Sequence, residues 1–256
     1  IVVDSAAAES KKVADLVLLE RDLGVVAEGV SEGRTSFANA SKYIRIASSS
    51  NFGNICSVAA SSIFLPFVPA TATQLLLLNL CYDATCLALS WDNVDDAEIA
   101  RPRAWSGKGL GSFMLHFGFA SSAFDIITFA ILFLGVCPAV CGAPFAALDA
   151  AGRAAFIATF QAGWLLECAW TESLVLLVLR TRSVRDGDRP CTPLVVMVAV
   201  MLVVTALLAL SPVAQLFGLA TLPVWYLGIV ALLSVLYLVV ASTIKRVYLA
   251  RSSSLF

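Results

Sequence analysis

The stretch PLVVMVAVMLVVTALLALSP, residues 193–212, contains no charged side chain. An α-helix needs about 20 predominantly apolar residues to cross a bilayer, so this run by itself reads as a membrane span. Five further stretches have the same character, and the full set is expected at about 44–65, 71–90, 113–136, 156–179, 193–212 and 222–243. Breaks rich in Pro, Gly or Arg separate them, with Pro69 and the acidic turn at Asp92 bracketing the second. Composition agrees: of 256 residues, 59% are hydrophobic and 14% charged. A soluble domain is about 45–50% apolar and about 25% charged. The expected fold class is an all-α membrane protein with six transmembrane helices spanning 44–243.

Several function classes fall away on the same figures. The net charge of −1 provides no electrostatic footprint for nucleic acid. A single histidine, His116, seven scattered cysteines and the absence of CxxC and HExxH motifs argue against a His-based catalytic centre or a zinc cluster. The Lys and Arg residues set the orientation. With residue 1 cytosolic, the outer loops near 66–70, 137–155 and 213–221 hold only Arg153. The others lie on the cytosolic side, among them Arg101, Arg103 and Lys108, then Arg180, Arg182, Arg185 and Arg189, then Lys245, Arg246 and Arg251. Both termini are expected to be cytosolic, the second as a tail over 244–256.

Residues 1–43 differ from the rest, interleaving Lys11, Lys12, Glu20, Arg21, Asp22, Glu28, Glu32 and Arg34 with Val, Leu and Ala. The run ADLVLLE reads as a short buried strand or helix, and the residues after Asp22 as an amphipathic helix. About 40 residues cannot bury enough surface to fold alone. This segment therefore reads as the edge of a larger soluble domain, and the chain, opening on Ile1, as part of a longer polypeptide.

Polar residues inside the spans need a reason, because an uncompensated charge there costs about 2.5–3.5 kcal/mol on insertion scales. Asn79 and Asp83 lie four apart in NLCYD, and Asn51 and Asn54 three apart in SSNFGN; each pair shares a helix face. Together they offer one carboxylate and three amide oxygens to a hard cation, although asparagines also serve as interhelical glue. Asp125 and Glu167 are candidates for coupling or the ion path, with buried structural hydrogen bonding as the alternative. Glu172 reads as structural, and five residues from Glu167 it need not share that residue's face. Asp92, Asp95, Asp96 and Glu98 cluster in a cytosolic loop that could receive a cation leaving the site, or simply be a solvated turn. Cys81 and Cys86 read as small buried hydrophobes. Cys137 and Cys141 lie near the longest outer loop, where an oxidising compartment could join them. His116 reads as an interfacial or packing residue.

These residues resemble the P-type cation-transporting ATPases. Ala14, Asp15 and Leu18, then Glu32-Gly33-Arg34, then Asn39 to Ile44 look like the end of the phosphorylation domain and the stalk into the fifth helix. Four stretches resemble the magnesium-importing, type IIIB branch. They are SSNFGN (Ser49–Asn54) with FLPFVP (Phe64–Pro69); NLCYD with WDNVDDAEIARPRAW (Trp91–Trp105); FGFASSAFDIITF (Phe117–Phe129); and FQAGWLLE (Phe160–Glu167) with RTR (Arg180–Arg182). Calcium and sodium pumps usually have an acidic residue where Asn54 stands. Cys168 and Glu172 depart from the family's pattern.

The resemblance implies the last six of ten helices in a pump driven by an aspartyl-phosphate cycle. It also implies Mg²⁺ as the transported ion and again with ATP in domains outside this sequence, which holds neither DKTGT nor TGDGxND. The partners implied are Mg²⁺, membrane lipid and the N-terminal part of the same pump, with no nucleic acid. Asn51, Asn54, Asn79 and Asp83 become its ion-site residues, in a multi-pass protein of the cell membrane. A pump for Ca²⁺ or another cation is one alternative. The other is a truncated membrane protein, without catalysis, acting as a binding partner.

Overall fold

The computed structural model describes residues 1–20, 22, 24–102, 104, 107, 109–181 and 189–251. Arg21, Arg103, Trp105, Lys108, Arg182, Arg185 and positions 252–256 of the tail lie outside the described residues. Two short strands, β1 (Val2–Val3) and β2 (Val17–Leu18), pair in parallel with Val2 opposite Val17 and Val3 opposite Leu18, around the short helix α1 (Ala8–Lys12). The ADLVLLE run thus supplies a strand. Leu18 is its one buried residue, while Val13, Leu16 and Leu19 are exposed.

Helix α2 (Gly24–Ser61) then runs unbroken for 38 residues. The expected boundary at residue 43 falls inside this helix and is no break in the chain. After it come α3 (Ala72–Leu87), the single turn α4 (Asp96–Ile99), α5 (Leu110–Cys141), α6 (Ala150–Leu179), α7 (Thr192–Leu210) and α8 (Tyr226–Arg251). Five helical stretches, α3 with the 3₁₀ turn that follows it and α5 to α8, are long and apolar enough to cross a membrane. The sixth expected span does not meet that measure. Residues 44–61 of α2 carry Ser48 to Asn51, Asn54, Ser57 and Ser61, which lower the hydropathy of this stretch; Ser57 bonds to α5 and Asn54 to α6, while Asn51 is exposed. The last helix also overruns its expected end at 243 and reaches Arg251.

Local chemistry sets the ends of these helices. At α3, Thr71 accepts from the Gln74 amide while the Gln74 side chain accepts from the Thr71 N–H, satisfying two orphan donors at once. Asp149 caps α6 by accepting from Gly152 N–H. Helix α5 closes at Gly142 with φ +80°, a left-handed conformation open to glycine. Two π-helical segments, Met114–Gly118 and Leu132–Val136, interrupt α5; such bulges re-aim the side chains beyond them.

Helix α6 is the hub, packing against α3, α7 and α8. Of its apolar stretch 78% is buried, against 28% for α7 and for α8. Because lipid tails are as apolar as leucine, bundle helices associate through close packing and interhelical hydrogen bonds. One half of the bundle gathers Phe67, Phe129, Phe156, Phe160 and Trp164. The other gathers Phe113, Phe117, Tyr82, Tyr237 and Tyr248. The backbones of α2 and α5 approach closely where they cross. A Cβ on Gly118 would lie 3.0 Å from the Ser49 carbonyl and 2.7 Å from the Phe52 ring. A Cβ on Gly53 would lie 3.0 Å from the Gly118 carbonyl. The Gly53 carbonyl also accepts from the Ser57 and Ser122 hydroxyls.

All seven cysteines are free thiols. Cys137 is buried within the bundle and Cys141 half-buried, and both are free, so the bridge that an oxidising outer loop could form is not made here. Cys86 is a core residue, as its small-hydrophobe reading requires. His116 packs against the Tyr248 ring with centroids 5.4 Å apart, its Nδ1 2.7 Å from the Ser112 carbonyl oxygen.

Candidate ion-translocation site

The four proposed ligands do not converge in one shell. Asn51, Asn79 and Asp83 are exposed, whereas Asn54 is buried. Asn79 and Asp83 do share a side of α3. Asp83 lines an open groove of about 660 Å³ beside α2, together with Ser36, Asn39, Tyr43 and Leu80. There the Tyr43 hydroxyl donates to Asp83 Oδ1 at 3.2 Å. Asn54 instead points inward, and its Nδ2 donates to Glu172 Oε1 on α6 at 2.9 Å. The expected common face of Asn51 and Asn54 is thus split: three residues turn α2 by about 300°, enough to leave one side chain on the surface and bury the other.

A buried polar column continues from Asn54 into the bundle. One turn further along α2, the Ser57 hydroxyl donates to Asp125 Oδ2 on α5. Asp125 Oδ1 accepts from Trp164 Nε1 at 2.9 Å and from the Cys168 thiol at 3.4 Å. Ligand atoms of Asp125, Glu167 and Cys168 all lie within 4.8 Å of one another, and the three residues are 1–2% exposed. Asp125 and Glu167, read separately from the sequence, therefore sit together. Glu172, 3% exposed on the same helix, accepts the hydrogen bond from Asn54.

The cytosolic loop is also differently built. Asp92 is not a solvated acid. It accepts from Arg180 Nε at 2.6 Å and from Lys42 Nζ at 3.3 Å, with all three side chains at most 3% exposed. Lys42 Nζ also donates to Asn39 Oδ1 and to the Asn93 carbonyl, both at 2.9 Å. Asn39 Nδ2 donates to the Asp92 carbonyl at 2.8 Å, and the Cys191 N–H to Asp92 Oδ1 at 3.3 Å. Burial pushes the Lys42 ammonium below its usual range; the Asp92 charge opposes this and Arg180 adds to it. Of the other acids in the loop, Glu98 is buried, Asp95 half-buried and Asp96 exposed. The four carboxylates are therefore not one solvent-facing cluster.

Sequence reasoning passed over Lys42, Tyr43, Ser57, Trp164 and the partner of Glu172. The signal available for Glu172 was an ionisable side chain in an apolar run, which marks a functional candidate by itself.

Five apolar helices long enough to cross a membrane enclose buried carboxylates and amides, and the protein is integral and multi-pass. The chain belongs to the family described as "Cation transporting ATPase, C-terminus", which matches residues 67–247. It is 38% identical over 227 residues to the "Magnesium-transporting ATPase, P-type 1" of Salmonella typhimurium, covering 88% of this chain and 24% of that protein. The protein of the same name from Escherichia coli strain K12 is 39% identical over 228 residues, with the same shares covered. The "Calcium-transporting ATPase 3, endoplasmic reticulum-type" of Arabidopsis thaliana is 31% identical over 106 residues, 40% of this chain and 10% of that protein. The chain thus spans about a quarter of the length of the magnesium-transporting relatives it matches.

Proposed function

We propose that this chain is the C-terminal membrane part of an ATP-driven P-type pump that moves Mg²⁺ into the cytosol. The observation that carries the reading is the polar side chains set between or beside α2, α3 and α6, together with the names of relatives matched over 88% of the chain. Asp83 supplies negative charge, and the amides of Asn51, Asn54 and Asn79 replace part of the ion's water shell. Mg²⁺ dehydrates reluctantly and keeps several waters, which suits a site with few charged ligands. Asn51, Asn79 and Asp83 are exposed here, and in this reading they face the N-terminal helices of the same pump. ATP hydrolysis and phosphorylation belong to domains outside this sequence. The distribution of Lys and Arg supports both ends being cytosolic in the cell membrane.

Calcium is the second reading, favoured by Glu172 beside Asn54: an added carboxylate suits a larger cation that takes more oxygen ligands. Ion-stimulated phosphorylation of the full-length protein separates the two. Mg²⁺ is expected to stimulate it at concentrations where Ca²⁺ does not, and the opposite order would assign the pump to calcium. Asp95 and Asp96 sit where an ion leaving the site reaches the cytosol. Replacing both by Asn is expected to shift the Mg²⁺ dependence of ATPase activity severalfold, and an unchanged dependence would reduce the loop to a solvated turn.

A further inference from the structure

We propose that Asp125, Glu167 and Cys168 form a buried site for a thiophilic divalent cation of the zinc class, distinct from the Asp83 groove. The first argument is geometric. With metal–sulfur bonds of about 2.3 Å and metal–oxygen bonds of about 2.1 Å, a tetrahedral ion holds its sulfur and oxygen ligands about 3.6 Å apart. Cys168 Sγ lies 3.4 Å from Asp125 Oδ1 and 3.9 Å from Glu167 Oε2, bracketing that separation before any adjustment. The ion takes the position of the thiol proton between Sγ and Oδ1. That proton leaves, as does any proton on Glu167, because the ligands bind in their deprotonated forms.

The second argument is the shell around the three ligands. Asp125 is already oriented by Ser57 on Oδ2 and Trp164 on Oδ1, the outer contacts that hold a coordinating carboxylate in place. One turn beyond Asp125 on α5, Thr128 is 0% exposed and its Oγ1 has no hydrogen-bond partner among the described residues. Buried polar atoms without partners are uncommon and ask for an occupant; a fourth ligand, or a water on the ion, supplies one. The sulfur sets the class of ion, since Mg²⁺ and Ca²⁺ prefer all-oxygen shells whereas thiolate selects zinc-like ions.

Co²⁺ is the probe, added to the full-length protein in nanodiscs after stripping with a chelator. A sulfur-to-cobalt charge-transfer band is expected, bleached by Zn²⁺ and insensitive to a large excess of Mg²⁺. Cys168→Ser keeps a donor to Asp125 and removes the sulfur, so the band should vanish there and persist in Cys56→Ser. Glu167→Gln should weaken Co²⁺ binding by about tenfold or more, a second reading that does not depend on the cysteine variant folding. No sulfur band in the wild type, a band that survives in Cys168→Ser, or displacement by Mg²⁺ would each overturn the assignment.

Discussion

Replacing Asp83 by Asn in the full-length pump is expected to abolish ion-stimulated ATPase activity, leaving less than about one tenth of the wild-type stimulation. The substitution is nearly isosteric, and the amide oxygen still accepts from the Tyr43 hydroxyl that Asp83 Oδ1 engages at 3.2 Å. What disappears is the charge. At an effective dielectric of about 20, two unit charges 4 Å apart interact by about 4 kcal/mol, and a divalent ion doubles that before dehydration is counted. Since 1.36 kcal/mol is about tenfold, even half of the single-charge figure that survives dehydration lowers ion occupancy by more than an order of magnitude. ATPase rates measured against Mg²⁺ concentration give the result, and wild-type stimulation in the variant would remove Asp83 from the site.

The second large effect is on stability. Asp92→Asn leaves Lys42 and Arg180, both at most 3% exposed, without the carboxylate between them. Breaking a buried ion pair by removing one partner costs about 3–5 kcal/mol. For domains of about 150–250 residues each kcal/mol lowers the midpoint by about 2–4 °C, so thermal unfolding in detergent should shift down by roughly 6–20 °C. Asp96→Asn, at an exposed position three residues beyond Asn93, is the control and should stay within about 0.5 kcal/mol of wild type. A shift no larger than the control's would mean that the Asp92 cluster contributes no net stability.

The two variants also mark how far the sequence could be read. Asp83 was legible because a carboxylate in an apolar run is costly wherever the helix ends up. The spans were legible for the same reason in reverse, since runs such as 193–212 have no alternative environment. Asp92 was not legible. A lone reading of DNVDDAE sees four acids near a turn, and nothing in those residues announces that Lys42, 50 positions earlier, and Arg180, 88 positions later, close around the first of them. The same limit hid the contact of Asn54 with Glu172, 118 residues apart. Cys137 and Cys141 went the other way. Their placement in an outer loop assumed that the helix ended at 136, whereas it continues to Cys141 before Gly142 turns the chain.

Helix α2 can also be considered as a machine part. Its 38 residues span about 57 Å at about 1.5 Å per residue, with no proline within it to bend it. Among the contacts that hold it are the Asp92 latch around Lys42 and the backbone-close crossing of Gly53 on Gly118. The second would serve as a fulcrum, since glycine on both sides lets the two backbones meet with the Phe52 ring seated over Gly118. Tilting the stub end of the helix about that point would swing residue 24 far and the flanking Asn51, Asn54 and Ser57 only a little. A large sweep outside the bundle would then become a small, forceful adjustment of the oxygens within it, at a mechanical advantage set by the unequal lengths of the two arms.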